Sequence, residues 1–140
     1  MLIFRDDQLT IPIANEQGFV DWYIECFMPE NLTKYHRMFD EETRRKRVKH
    51  GRDIAIRYSL NDAISQVQFI ALMWRFGAHF YRYPGFWAVT QQTDNAGPER
   101  IDQYYLLSDN EFAAVMVGEE YSDWFAEPNN NIGQTQEKKE

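Results

Sequence analysis

The stretch from Tyr58 to Trp87 constrains the fold of this 140-residue chain more than any other part of the sequence. It contains a helix-start signal at Asn61-Asp62, then a nearly unbroken run of apolar residues, then a glycine. A helix that is apolar on almost every side is typical of one that is buried from all directions. The sequence therefore predicts a buried central helix over residues 61–76, ended by Gly77 in a left-handed cap.

Shorter helical patterns precede this stretch. The first begins at Asn15, which can cap a helix, and ends before Pro29, because the residue before a proline avoids helical backbone. The second is capped by Asp40 and runs to about Tyr58. A glycine inside a helix costs about 1 kcal/mol relative to alanine, so Gly51 in this second helix predicts the close approach of a neighbouring helix.

Two further helices are predicted towards the C-terminus, one started by Pro98 and one capped by Ser108 and ended by Gly118. The last helix is expected to run through Phe112, Ala113, Val115 and Met116. The patterns together predict an all-α fold, a single compact bundle of about five to six short helices around the central one. The helical domain is expected over residues 1–127, and the polar residues 128–140 are expected to be a disordered tail.

The charge and cysteine content limit the classes of partner and compartment. A formal net charge of −7 and a sequence pI near 5.0 disfavour nonspecific binding to nucleic acid or to an anionic membrane surface. One cysteine, Cys26, allows no disulfide within the chain, and its place on the aromatic face of the first helix predicts a buried thiol. No leader or membrane span is evident, so we expect a cytoplasmic protein.

The first half of the second long helix is strongly basic, whereas the last third of the chain is acidic. Three readings are open for the basic segment: a solvated helix face, a docking surface for an acidic protein, or a nucleic-acid patch. The candidate docking residues on it are Arg44, Arg45, Arg47, Lys49 and Arg52. From Asp94 to Glu127 there are nine acidic residues and one basic residue, Arg100. The two segments either face each other or offer opposite charges to a partner.

The loop after Gly77, with sequence AHFYRYPGFW, is the most aromatic part of the chain. Pro84 in this loop is placed to open a further short helix. The aromatic side chains are expected to close one end of the core, to form a surface for a partner protein, or to line a small-molecule site. The candidates for partner binding are Tyr81, Tyr83 and Phe86.

Catalytic motifs are lacking in this sequence. The three histidines, His36, His50 and His79, lie on separate segments with no metal-binding pair, and no nucleophile elbow or glycine-rich phosphate loop occurs. We therefore expect no catalytic residue, no metal and no cofactor. An enzyme that uses His79 in an aromatic pocket is a third and unsupported reading.

The residues from Gly51 to Leu106 carry a family resemblance. The shared pattern comprises Gly51, Ala55, Tyr58, Phe69, Met73, Phe76-Gly77, Phe80, Pro84, Trp87 and the segment Arg100-Ile101-Asp102-x-x-Tyr105. It resembles the small helical proteins encoded beside VgrG, PAAR and toxin genes in bacterial type VI secretion clusters. The chain departs from that pattern at Ser59, where the family tends to have glycine, and at His79 and Arg82, near which it tends to have an acidic residue.

The resemblance implies a role in protein binding. Members with an assigned role are similar to co-chaperones that bind an effector chaperone or adaptor and help to load a toxin on the secretion spike. The chain is thus expected to be a non-enzymatic accessory protein whose partner is a chaperone, an adaptor or an effector. The alternative is an immunity protein that neutralises a cognate toxin by direct binding.

Overall fold

A computed structural model of the chain describes residues 15–127, and within them the fold is all-α, with no strand. This confirms the predicted fold class. Residues 1–14 of the expected domain and the expected tail over residues 128–140 lie outside the described residues. The helices are α1 (Glu16–Trp22), α2 (Met28–Asn31), α3 (Thr33–Met38), α4 (Glu41–Arg57), α5 (Ala63–Phe76), α6 (Phe86–Thr90), α7 (Gly97–Tyr105) and α8 (Asp109–Gly118), with a 3-10 turn at Phe80–Arg82.

The first helix does not end at Pro29 as predicted. The side chain of Asn15 caps it as expected, but α1 passes through a π-helical turn at Tyr23–Phe27 directly into α2. In that turn the Met28 N–H donates to the Tyr23 carbonyl, one residue further back than in an α-helix. Proline has no backbone N–H and is tolerated in the first turn of a helix, where an N–H would lack a partner. Pro29 lies in the first turn of α2, so the continuous helix from α1 to α2 is not interrupted there.

The π-helical turn also explains why the prediction of a buried Cys26 is wrong. The buried residues of this continuous helix recur at a spacing of four: Phe19, Val20, Tyr23, Ile24, Phe27 and Met28. The wide turn keeps that spacing on one face, whereas a regular helix would have turned Cys26 inward. The Cys26 side chain is exposed instead.

Helix α5 forms the centre of the fold, as the sequence predicts, and α4 packs along it. Asp40 caps α4 by accepting from the Thr43 N–H, and Asp62 caps α5 by accepting from the Ser65 N–H. All ten residues from Ser65 to Trp74 are buried. A Cβ atom on Gly51 would lie 2.9 Å from the Ile70 Cγ1 atom, so the predicted close approach of a neighbouring helix is confirmed.

Gly77 ends α5 as predicted, though not in the left-handed helical conformation. Its φ of 144° and ψ of 148° fall in a region that essentially only glycine adopts. A Cβ atom there would lie 2.4 Å from Glu119 Cγ, so the chain also comes too close for a side chain. Glycine at this position lets the residue after α8 pack directly against the end of α5.

The end of α4 forms a Schellman motif with serine where glycine is preferred. The Leu60 N–H donates to the Ala55 carbonyl and the Ser59 N–H donates to the Ile56 carbonyl, each at 2.9 Å. Ser59 has a φ of 69°, and Leu60 is buried behind it. Ser59 therefore places a side chain in a backbone conformation that favours glycine.

We expect Ser59→Gly to raise the free energy of unfolding by about 0.5–1 kcal/mol. The left-handed conformation costs a non-glycine residue roughly 1–2 kcal/mol, and the greater freedom of glycine in the unfolded chain offsets part of that gain. Urea unfolding followed by circular dichroism measures the change. Ser59→Ala is the matched control, because it removes the hydroxyl and keeps the Cβ atom. An equal gain from alanine would contradict the backbone explanation.

In the C-terminal half, two of the predicted helix starts are confirmed and one is not. Pro98 lies in the first turn of α7, and Ser108 forms a capping box with Glu111 at the start of α8, both as predicted. Helix α6 begins at Phe86 rather than at Pro84. Val115 of α8 is buried and Phe112 is half-buried, whereas Ala113 and Met116 are exposed. Because α8 is apolar on both faces, the sequence does not indicate which face packs.

Candidate functional site

The basic residues of α4 are held mainly by contacts within the fold. Arg44 Nη1 donates to the backbone carbonyls of His36, at 2.8 Å, and of Phe39. The guanidinium of Arg45 contacts Asp21 of α1 at 2.6 Å and Glu41 at 3.1 Å. These contacts tie α4 to the end of α3 and to α1.

Arg47 lies among aromatic rings rather than in solvent. Its guanidinium carbon is 4.4 Å from the ring centroid of Phe39, 4.7 Å from that of Trp124 and 5.6 Å from that of Trp74. Burial lowers the pKa of Arg47, and the carboxylate of Asp123 opposes that shift. Arg47 therefore joins α4 to α5 and to the segment after α8 through cation–π contacts.

The remaining basic candidates differ in their exposure. Arg52 stands over the ring of Phe19, 5.4 Å from its centroid, and is half-buried. The Lys49 side chain is 58% exposed, and its Nζ atom lies 3.6 Å from carboxylate oxygens of Glu16 and Asp53. The prediction of a free five-residue docking face thus needs correction. Of the five, only Lys49 is exposed.

Two shallow clefts open beside Lys49. A cleft of about 230 Å³ lies between α1 and α4, with Glu16, Gln17, Val20, Arg45, Lys46 and Lys49 along it. A second, of about 370 Å³, is lined by Lys46, Lys49, His50, Asp53 and Phe125. Both clefts contain Lys46 and Lys49, and we call the two together the α4 groove. The ring of Phe125 meets His50 edge-on at 5.4 Å and closes one end of it.

The aromatic loop closes the core, which is one of the three readings that the sequence left open. Tyr81 and Phe86 are 1% and 0% exposed, so they do not form a docking surface for a partner in this fold. The buried Thr90 hydroxyl lies 2.9 Å from the carbonyl oxygens of both residues and fixes the loop. Tyr83 is half-buried, and its hydroxyl donates to Glu119 Oε2 at 3.0 Å.

Arg100, the basic residue of the last third, is 0% exposed. Its Nη1 donates to the Thr90 carbonyl at 3.2 Å, and Nε and Nη2 have no hydrogen-bond partner among residues 15–127. Burial lowers the pKa of this guanidinium, and Tyr104 and Asp62 oppose the shift. The arginine of the family-like segment is therefore a core residue, and it adds no positive charge to the surface.

A buried cluster around His79, which the sequence analysis did not assemble, joins the aromatic loop to the residues after α8. His79 Nδ1 lies 3.0 Å from Glu119 Oε1 and 3.0 Å from Ser122 Oγ, and Nε2 lies 2.7 Å from the Ala126 carbonyl. The backbone N–H of His79 also donates to Glu119 Oε1 at 3.0 Å. We call His79, Glu119 and their bonds to Ser122, Ala126 and Tyr83 the His79 cluster.

The electrostatics of the His79 cluster favour an ion pair. Burial disfavours the charged imidazolium, but the hydrogen bonds to Glu119 and Ala126 outweigh it and raise the pKa of His79. Burial likewise opposes ionisation of Glu119, while its bonds with His79 and Tyr83 lower the pKa of the carboxyl. An imidazolium donates from both ring nitrogens, which matches one acceptor at Nδ1 and another at Nε2.

The geometry of the His79 cluster does not fit a hydroxyl–histidine–acid triad. In a triad the hydroxyl and the carboxylate bond to opposite ring nitrogens, so that the imidazole takes the hydroxyl proton while the carboxylate orients the ring and stabilises the imidazolium. Here Ser122 and Glu119 share Nδ1, and the Ala126 carbonyl, which cannot donate a proton, occupies Nε2. The arrangement can fasten residues 119–126 to the loop, but it cannot activate Ser122 as a nucleophile.

The segment after α8 is also held by Trp124. Its ring centroid lies 4.8 Å from that of Trp74, and the residue is 6% exposed. Of the other aromatic residues in this segment, Tyr121 is 92% exposed and Phe125 is 45% exposed, so Trp124 supplies the buried ring. No motif in the sequence linked His79 to Glu119, because the two are far apart along the chain.

Over residues 15–127, no group of three or more potential metal ligands is close enough to hold an ion. None of the helices in this part of the chain is long and apolar enough to cross a membrane. Comparison of the chain with protein-family models, with curated proteins and with solved structures gave no match in any of the three.

Proposed function

We propose that this chain is a non-enzymatic accessory protein of bacterial type VI secretion. It binds an effector chaperone, an adaptor or an effector and assists the loading of that effector on the VgrG/PAAR spike. Support for the secretion role comes from the resemblance over Gly51 to Leu106. Much of that pattern is packing, as in the contact of Gly51 with Ile70, so the partner surface has to be sought elsewhere.

The observation that carries the proposal of protein binding is the α4 groove. Lys46 is 65% exposed beside Glu42, and Lys49 is 58% exposed between two carboxylates. Exposed pairs of this kind contribute little to stability, so carboxylates of a partner can replace them at little cost. The half-exposed ring of Phe125 adds an apolar contact at the end of the groove. An acidic segment with an apolar side chain fits this mixture.

We expect Lys46→Glu/Lys49→Glu to abolish capture of the acidic partner without unfolding the chain. Both side chains are exposed, so their reversal changes the charge of the groove and leaves the core intact. Co-expression of the tagged chain with the adaptor, chaperone and effector encoded beside it, followed by pull-down, measures capture. Lys34→Glu/Arg37→Glu on α3 is the control, since these two exposed positions undergo the same change of charge. Equal capture by both variants would exclude the groove.

An immunity protein is the second candidate, and the acidic surface of the last third favours it. The one basic residue between Asp94 and Glu127 is the buried Arg100, so the exposed charges of that segment are acidic. Such a surface complements a basic toxin. Gene deletion separates the two roles. Loss of an accessory protein stops toxin export and leaves the cells immune to their siblings, whereas loss of an immunity protein makes them sensitive.

A further inference from the structure

The outer face of α8 is apolar and exposed. The inner face packs through the buried Val115 and through Phe112, whose ring centroid is 4.6 Å from that of Phe76. On the opposite side Ala113, Ala114 and Val117 are exposed, and Val117 retains 75% of its accessible surface. A surface helix normally turns polar residues outward, so this face departs from the usual pattern.

The apolar surface continues past both ends of the helix. Leu106, two residues before the Ser108 cap, is 82% exposed, and Tyr121, three residues after α8, is 92% exposed. Within α8, Val117 follows Ala113 and Ala114 at the spacing of four and three residues that makes one helical stripe, and Tyr121 lies in the turn after the helix. A helix of this length spans roughly 15 Å. Exposed apolar side chains along a helix of that length are the kind of surface that binds another protein.

The charges beside this face identify the kind of partner. The exposed charged residues of the last third are all acidic: Asp94, Glu99, Asp102, Asp109, Glu120, Asp123 and Glu127. Asp109 lies at the start of α8 and Glu120 is the second residue after its end, so both ends of the apolar stripe carry negative charge. The positive charge of Arg100 is buried and does not compensate them.

These charges disfavour a second copy of the chain and an anionic membrane. Two α8 helices packed face to face, parallel or antiparallel, would bring acidic ends together, and like charges that face each other at an interface repel. A membrane of anionic lipids would be repelled for the same reason. A partner whose own apolar stripe is flanked by lysine or arginine would instead place those cations next to the carboxylates at both ends of α8.

We propose that the outer face of α8 binds an amphipathic helix of another protein, whose apolar stripe is flanked by lysine and arginine. The small side chains of Ala113 and Ala114 allow the partner helix to approach closely, and Val117 and Tyr121 supply the larger apolar contacts. This surface is separate from the α4 groove and takes a partner of opposite charge. The proposal does not depend on the role in secretion.

The test uses the full chain and a fluorescein-labelled peptide of about 18 residues. Its leucines follow the i, i+3, i+4, i+7 pattern of one helical face, with lysine and arginine flanking that stripe. A matched peptide carries glutamate in place of every cation, and a third carries serine in place of every leucine. Fluorescence anisotropy should show saturable binding of the basic amphipathic peptide alone, weakened as the salt concentration rises.

Two variants of the chain locate the binding. We expect Val117→Ser/Tyr121→Ser to weaken binding by at least about tenfold, as removal of a central aromatic contact commonly does. Glu120→Lys should weaken it severalfold and reduce its dependence on salt. The control is Met38→Ser/Ile56→Ser, which replaces two exposed apolar side chains away from α8 and should leave affinity unchanged. Circular dichroism checks that each variant keeps the fold of the parent.

Several results would overturn the proposal. They are the absence of saturable binding of the basic peptide, equal affinity for the acidic peptide, and unchanged affinity in Val117→Ser/Tyr121→Ser. Analytical ultracentrifugation adds a fourth. If the parent chain self-associates and Val117→Ser/Tyr121→Ser is monomeric, a second copy covers the α8 face and the proposed partner is wrong.

Discussion

Replacing Phe69 with alanine should lower the free energy of unfolding by about 3–5 kcal/mol. Phe69 is 0% exposed and lies at the centre of α5. Its ring centroid is 5.0 Å from that of Phe80, 5.5 Å from that of Tyr81 and 6.3 Å from that of Tyr104. Truncation leaves a cavity against three rings that belong to the loop and to α7, and those rings cannot all move in to fill it.

Urea unfolding of the parent and the variant, followed by circular dichroism, measures this loss. Phe69→Leu should cost clearly less, because leucine refills most of the space. Tyr121→Ala is the matched surface control. Its ring is 92% exposed, so we expect a change within about 0.5 kcal/mol. If Phe69→Ala cost no more than Tyr121→Ala, the aromatic loop would not be packed on α5 as the structure describes.

Features that depend on neighbouring residues in the chain were predictable. Asp40, Asp62 and Ser108 each cap the helix that follows, because a cap needs only a side-chain oxygen within reach of an N–H two or three residues on. The burial of α5 was predictable because its sequence is apolar on nearly all sides. Gly51 was predictable as a close contact because glycine has little other reason to occupy the middle of a long helix.

Features that depend on three-dimensional partners were not predictable. The basic residues of α4 have the pattern of a solvated face, yet Arg47 is enclosed by three rings: one from the residue after α3, one from α5 and one from the segment after α8. The exposure of Cys26 follows from a π-helical turn for which the sequence gives no clear signal. The inward face of α8 was ambiguous because Val115 and Val117 are equally apolar, and contacts with α5 decide between them.

In the candidate site, too, local features were predictable and tertiary contacts were not. The sequence indicated the aromatic loop as a candidate site, but it left core closure and partner binding open for Tyr81 and Phe86. Their burial could be decided only once α7 and the loop were packed together. The His79 cluster was not predicted, because a single histidine and a pair of adjacent glutamates are too common in sequences to indicate a contact. Only the folded chain brings the imidazole of His79 next to the carboxylate of Glu119.

Glu119→Gln should weaken the His79 cluster and lower the free energy of unfolding by about 3 kcal/mol near pH 5.5, since it leaves a buried charge without its partner. The amide keeps the shape of the carboxyl and removes its charge. The Glu119 side chain is 4% exposed and that of His79 is 5% exposed, so little water can take the place of the lost carboxylate. Hydrogen exchange should speed up at residues 119–126, which the cluster fastens to the loop.

The size of this effect should depend on pH in a defined way. The pKa of Glu119 is lower in the folded chain than its ordinary 4.5, so its contribution is present above that value and is lost as the pH falls through the folded pKa. The pKa of His79 is raised above its ordinary 6.5, so its contribution is complete below that value and is lost as the pH rises through the folded pKa. The difference between parent and variant is therefore greatest between about pH 4.5 and 6.5.

Urea unfolding of both chains from pH 3 to pH 9 tests this dependence. Glu42→Gln is the control, because the Glu42 carboxylate is 77% exposed and pairs with Lys46 on the surface. Its removal should cost little at any pH. A difference for Glu119→Gln that stayed constant across the whole range would mean that the His79 cluster holds residues 119–126 by shape and neutral hydrogen bonds. A difference that peaks between the two ordinary pKa values requires the ion pair, because only in that window are the imidazolium and the carboxylate both charged in the folded and the unfolded chain.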